Sequence, residues 1–137
     1  MLRRNQKVEL IKRAPLFSQL SRRELQQIAG IADEIDLREG KVMTQEGKAG
    51  REFFVLLEGN ADVTKNGRRI NRLSDGDFFG EIALISRSPR TATVTATTPV
   101  RALVITDRSF RRLLDETPKI QIKVMEALAE RLAPESL

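Results

Sequence analysis

Residues 78–92 read Phe78-Phe79-Gly80-Glu81-Ile82-Ala83-Leu84-Ile85-Ser86-Arg87-Ser88-Pro89-Arg90-Thr91-Ala92, long enough for one short helix and a loop between two predicted strands. Gly80 precedes the predicted helix, so backbone N–H groups at the helix N-terminus can approach an anion closely. Arg90, positioned by Pro89 at the start of the next strand, can bind phosphate oxygens through its guanidinium. Glu81 would repel a phosphate, but it can accept a hydrogen bond from a ribose hydroxyl. Together these residues predict a nucleotide site.

The sequence around this segment, residues 35–105, consists of short branched or aromatic runs separated by glycines. Residues 53–57 are apolar at every position, as in a strand that is buried on both faces. Asn66-Gly67 is a two-residue hairpin signal. Residues 91–98 alternate Thr with Ala and Val, and residues 100–105 follow as another strand. The pattern predicts a small β-barrel or jelly roll.

Helical patterns stand on both sides of the β region. Ser21 and Glu24 form a capping box that precedes apolar residues at helical spacing. After the strands, Asp107 is predicted to cap one helix, and Thr117-Pro118 is predicted to start another. This last helix has two apolar rows: Ile120, Val124, Leu128 and Leu132 in one, and Ile122, Met125 and Ala129 in the other.

The composition excludes several classes of chemistry. The 137 residues contain no His and no Cys, which excludes a Cys/His zinc site, a Ser-His-Asp or Cys-His catalytic group, and disulfides. The formal charge is +5, and Arg supplies 17 of the 24 positive charges. Arginine suits planar carboxylates and phosphates, which hints at an anionic partner. No apolar run approaches ~18 residues and no signal peptide is recognised, so we expect no membrane span.

The segments Phe79-Gly80-Glu81-Ile82-Ala83-Leu84 and Pro89-Arg90-Thr91-Ala92 resemble the phosphate-binding cassette of cyclic-nucleotide-binding domains. That family includes the catabolite activator protein, protein kinase A regulatory subunits and cyclic-nucleotide-gated channels. The resemblance implies a mainly β fold with flanking helices: a β-jelly-roll barrel (double-stranded β-helix) with N-terminal helices, a short cassette helix and C-terminal lid helices. We expect one domain over residues 1–137, with N-terminal helices at 1–34, the β-barrel at 35–106, the cassette at 79–92 and C-terminal helices at 107–133.

The resemblance also implies individual roles. Glu81 would bind the ribose 2′-OH, and Arg90 would pair with the cyclic phosphate. Thr91 stands where a hydroxyl can contact the phosphate or the base, a position associated in the family with tolerance of cGMP. Arg131, near the end of the last helix, would stack over the base. The expected ligand-binding residues are Phe79, Gly80, Glu81, Ile82, Ala83, Arg90, Thr91, Ala92 and Arg131.

Simpler interpretations of the same residues stay open. Arg90 can be a strand-end arginine paired with Glu81 or Asp77. Arg131 can be a cation that complements the helix dipole, and Thr91 can be a plain strand former.

The expected function is a cytoplasmic cyclic-nucleotide sensor, binding cAMP and also accepting cGMP, that signals through movement of its C-terminal helix. It is not an enzyme and needs no metal or cofactor beyond its ligand. Since no helix-turn-helix follows residue 132, we do not expect a complete transcription factor of the catabolite-activator type, and the effector is an unidentified domain or separate protein. The alternatives are a basic nucleic-acid-binding module and a cupin-like enzyme, which usually holds its metal with histidines.

Overall fold

Two facing β-sheets and a layer of helices make up the fold in the computed structural model, which describes residues 4–132. Three predictions concern residues outside that range. They are the domain limits at residues 1 and 137, the absence of a signal peptide in the first residues, and the helix end at residue 133. The elements are α1 (Arg4–Arg13), α2 (Arg22–Ile31), β1 (Asp33–Leu37), β2 (Val42–Thr44), β3 (Glu52–Glu58), β4 (Ala61–Lys65), β5 (Arg68–Leu73), β6 (Phe78–Phe79), α3 (Glu81–Ser86), β7 (Thr93–Ala96), β8 (Val100–Thr106), α4 (Asp107–Glu116) and α5 (Pro118–Leu132).

The strands form two four-stranded antiparallel sheets, in the orders β1-β8-β3-β6 and β2-β7-β4-β5. Their inner faces pack together through side chains such as Leu56, Val94 and Ala102. The predicted jelly-roll class is therefore confirmed. Within residues 4–132 no strand of one sheet pairs with a strand of the other, so the β region is a sandwich and not the closed barrel that was expected.

The helices cover the outer face of the first sheet. Phe53 and Ile105 of that sheet pack in one cluster with Phe17, Ile28 and Phe110 of the helical layer and its connections. Strand β3 is buried at all five central positions because helices cover one of its faces and the second sheet covers the other. Each large apolar side chain buried in this way contributes ~1.5–3 kcal/mol.

Two local signals act as predicted. The Ser21 hydroxyl accepts a hydrogen bond from the Glu24 backbone N–H, and the Glu24 carboxylate accepts one from the Ser21 N–H, which completes the capping box. Asn66 and Gly67 join β4 to β5 with φ angles of 54° and 77°. Both residues thus have the positive φ that a two-residue type I′ turn requires.

Two predicted details of local structure are wrong. Thr106, and not Asp107, caps α4: its hydroxyl accepts from the Ser109 N–H, which places Asp107 inside the first turn. Of the alternating residues 91–98, only Thr93–Ala96 forms a strand. In α5 the first apolar row faces the core through buried Ile120 and Val124 and partly buried Leu128, whereas the second row is exposed.

Candidate functional site

A cavity of about 650 Å³ lies where the cassette, the second sheet and the end of α5 meet. All nine residues expected to bind a ligand line it, although they come from β6, α3, α5 and the connections on either side of α3. The β4–β5 hairpin provides the other side of the cavity, which was not predicted from the sequence, through Val63, Lys65, Ile70, Asn71 and Leu73.

Gly80 brings the cassette helix close to strand β3. Its φ angle is 98°, in the left-handed region that favours glycine. A Cβ atom here would lie 2.8 Å from the Glu52 carbonyl oxygen and 3.0 Å from Arg90 Nη1. The glycine therefore lets the cassette, β3 and the arginine meet at one point.

Arg90 places a buried guanidinium at this point, with its side chain 5% exposed. Nη1 donates to the Gly80 carbonyl at 3.2 Å, and Nη2 donates to the Glu52 carbonyl at 2.7 Å. The nearest carboxylate oxygen, on half-exposed Glu52, is 3.4 Å from Nη2. Burial lowers the pKa of Arg90, and the charge of Glu52 offsets part of this effect. The cation is thus desolvated but only loosely neutralised, which favours binding of an anion.

Gly50 makes room for this arrangement. An added Cβ at Gly50 would lie 1.9 Å from Arg90 Nε and 2.4 Å from its Cζ. Gly50 and Glu52 both position Arg90, and neither was among the predicted site residues. The only signal for them in the sequence is that Gly50 stands two residues before Glu52, the acidic residue that begins a strand.

Glu81 is the first residue of α3, and its side chain is only 1% exposed. Arg131 Nη1, from the last turn of α5, lies 2.6 Å from Oε1 and 2.7 Å from Oε2 of this carboxylate. Arg131 Nη2 also donates to the Phe78 carbonyl at 2.7 Å, and the guanidinium lies 5.1 Å from the centre of the Phe78 ring. Arg131 therefore contacts the cassette in addition to lining the cavity.

The simpler interpretations differ from these contacts. Arg90 forms an ion pair with Glu52, although the more distant charge of Glu81 also acts on it. Arg131 pairs with a buried carboxylate 50 residues away in sequence, so it is more than a cation at a helix end. Thr91 is exposed and lies at the cavity wall before strand β7 begins.

The site can bind an anion at Arg90 and polar groups along the cassette. Within the described residues, no group of three or more acidic, His or Cys side chains is placed to hold a metal ion. The same part of the chain has no helix that is both long and apolar enough to cross a membrane. The fold and site together define a ligand-binding jelly-roll module.

The model of the cyclic nucleotide-binding domain family matches residues 34–117, and the chain belongs to this family. The cAMP-dependent protein kinase regulatory subunit of Mycosarcoma maydis is 41% identical over 112 residues, which are 73% of this chain and 21% of that protein. The similar subunit of Schizosaccharomyces pombe is 34% identical over 106 residues, 77% of this chain and 26% of that protein. The chain thus spans about a fifth to a quarter of the length of these curated relatives.

Solved structures agree with this membership. The structure of PKAR CBD2 with Sp-2Cl-cAMPS bound superposes with a TM-score of 0.79 at 26% sequence identity. The match covers 94% of this chain and 90% of that chain.

Proposed function

We propose that this chain is a sensor that binds a purine cyclic nucleotide, cAMP or cGMP, in the cavity beside the cassette. The observation that carries this function is the buried Arg90 guanidinium, which has two carbonyl partners and one long contact of 3.4 Å to the half-exposed Glu52 carboxylate. A cyclic phosphate carries one negative charge and could complete the neutralisation of this cation. The relatives named for cAMP support the same ligand class.

The remaining cassette residues would hold the sugar and the phosphate. Glu81 would accept a hydrogen bond from the ribose 2′-OH, and the N–H groups of Ile82 and Ala83 would bind phosphate oxygens. Gly80 and Ala92 would leave space for close approach of the ligand, and Phe79 would form the apolar wall. Thr91 would offer its hydroxyl to the phosphate or to the base.

The ligand would signal through α5. Arg131 connects this helix to Glu81, so a ribose hydroxyl that bonds Glu81 changes the contact that holds the helix end. A ligand can shift the helix only as far as it binds one helix position better than another. The module would act on an effector domain or protein without catalysis of its own, and we place it in the cytoplasm.

Calorimetry with cAMP, cGMP and 5′-AMP on wild type and Arg90→Ala tests this function. We expect both cyclic nucleotides to bind with micromolar or tighter affinity. Loss of a charge-assisted contact of ~1.5–3 kcal/mol should weaken the variant about tenfold to a hundredfold or more. The function is wrong if neither cyclic nucleotide binds wild type. The assignment of Arg90 is wrong if the variant binds unchanged.

A further inference from the structure

The β4–β5 hairpin presents two polar side chains to the cavity. The register places Val63 opposite Asn71 on one side and opposite buried Val94 on the other, so Asn71 shares the inward face of the sheet. Lys65 follows Val63 by two residues and therefore points to that face as well. Both residues line the cavity. Their strands are the first and second neighbours of β7, which places them roughly 5–10 Å across the sheet from the end of the cassette.

The polar groups that the β4–β5 hairpin presents to the cavity include two free hydrogen-bond donors. The Arg72 backbone N–H donates to Asn71 Oδ1 at 2.8 Å, which leaves the Nδ2 amide of Asn71 free to donate to a ligand. The Lys65 ammonium forms no hydrogen bond or ion pair within residues 4–132. An ammonium can only donate, so a ligand atom between these two side chains must be an acceptor.

Two exposed apolar side chains flank the same space. Ile70 on β5 is 59% exposed and Leu132 at the end of α5 is 53% exposed, and both line the cavity. Ile70 is the extra residue of a β-bulge, since Arg69 pairs with Thr64 while Asn71 pairs with Val63. A flat base placed against these side chains would remove apolar surface from water.

We propose that this end of the cavity selects a 6-oxopurine, so that the chain prefers cGMP to cAMP. Guanine presents two adjacent acceptors, O6 and N7, which match the donors of Lys65 and Asn71. Adenine presents N7 beside a 6-amino group, which is itself a donor and finds no acceptor on Lys65. This inference rests on the proposed function, and it departs from the cAMP named for the relatives.

Calorimetry with cAMP, cGMP and cIMP tests the selection. The base of cIMP has the 6-oxo group without the 2-amino group. Its affinity therefore distinguishes contacts to O6 from contacts to the 2-amino group. Wild type should bind cGMP and cIMP at least about fivefold more tightly than cAMP. Lys65→Met combined with Asn71→Leu should reduce this ratio to within about twofold. Arg69→Met, which removes a cation from the outward face of the same hairpin, should leave the ratio unchanged.

The outcomes separate the two levels of the proposal. Equal or tighter binding of cAMP by wild type overturns the selection but leaves the proposed function standing. A preference for cGMP over cAMP that survives the double substitution also overturns the selection by Lys65 and Asn71. Loss of this preference in Arg69→Met would overturn it as well, because the preference would then be a nonspecific effect of charge. Absence of binding for all three nucleotides overturns the proposed function and the selection together. Circular dichroism on each variant checks that the fold is retained.

Discussion

Arg131 Nη1 lies 2.6 Å and 2.7 Å from the two carboxylate oxygens of Glu81, and this contact joins the last turn of α5 to the first residue of the cassette helix. The carboxylate is 1% exposed, whereas the arginine side chain is 29% exposed. The pair is therefore buried on one side only. Its stability depends on α5 lying against the cassette, which makes the position of the helix and the charge state of the site interdependent.

Arg131→Met should lower the free energy of unfolding by about 1–3 kcal/mol, because it leaves the buried Glu81 carboxylate without its cation. Urea denaturation measures the loss. Arg112→Met is the matched control, since Arg112 pairs with Glu116 on the exposed face of α4, where such pairs contribute about 0–1 kcal/mol. Equal losses in the two variants would contradict the special role of the Arg131–Glu81 pair.

Gly50→Ala should displace Arg90 while leaving the fold largely intact. The added Cβ would overlap the end of a flexible side chain, which can move away, and not the backbone. Once Arg90 leaves the carbonyl groups of Gly80 and Glu52, the affinity for cyclic nucleotide should fall about tenfold. Calorimetry measures the affinity, and thermal unfolding measures the fold.

Gly30→Ala is the control for this glycine. Gly30 lies inside α2, and nothing stands within 4 Å of an added Cβ. Alanine is the better helix former, so this variant should gain up to ~1 kcal/mol of stability and bind ligand as wild type does. Unchanged affinity in Gly50→Ala would show that Arg90 does not need its present position.

Features that depend on neighbouring residues could be predicted from the sequence. The capping box of Ser21 and Glu24 and the turn at Asn66-Gly67 need only a few adjacent residues, and both form as expected. The cassette was recognisable because its residues are contiguous. Its tertiary partners were not: Glu52 lies 38 residues from Arg90, and no local pattern connects the two.

The details that the sequence did not decide have the same origin. An apolar row at helical spacing indicates a buried face only if another element covers it, and nothing in the described residues covers Ile122 and Met125 of α5. The cap of α4 was assigned to Asp107 because Asp is a good cap residue. Thr106 ranks somewhat lower as a cap residue but can take the same role, and the end of strand β8 decides between them.

Glu24→Gln should weaken the fold at neutral pH but not in acid. The backbone N–H of Ser21 lowers the pKa of Glu24 below its ordinary value of 4.5. A depressed folded-state pKa contributes stability above the unfolded pKa, and this contribution disappears as the pH falls through the folded pKa. We expect a difference of about 0.3–1 kcal/mol at pH 7 that shrinks below the ordinary pKa of 4.5 and is lost as the pH falls through the lowered folded-state pKa. A difference that stays constant as the pH falls would contradict this linkage.

Removal of residues 130–137 should weaken cyclic-nucleotide binding more than Arg131→Met does. The truncation removes the ion pair to Glu81 and also Leu132, which lines the cavity and would cover the base. A chain that ends after Leu132 keeps every contact described above and serves as the control. We expect a loss of about fivefold to thirtyfold for the truncation, from roughly 1–2 kcal/mol of lost apolar contact. Affinity that is unchanged by the truncation would remove α5 from the site, and with it the proposed route from ligand to effector.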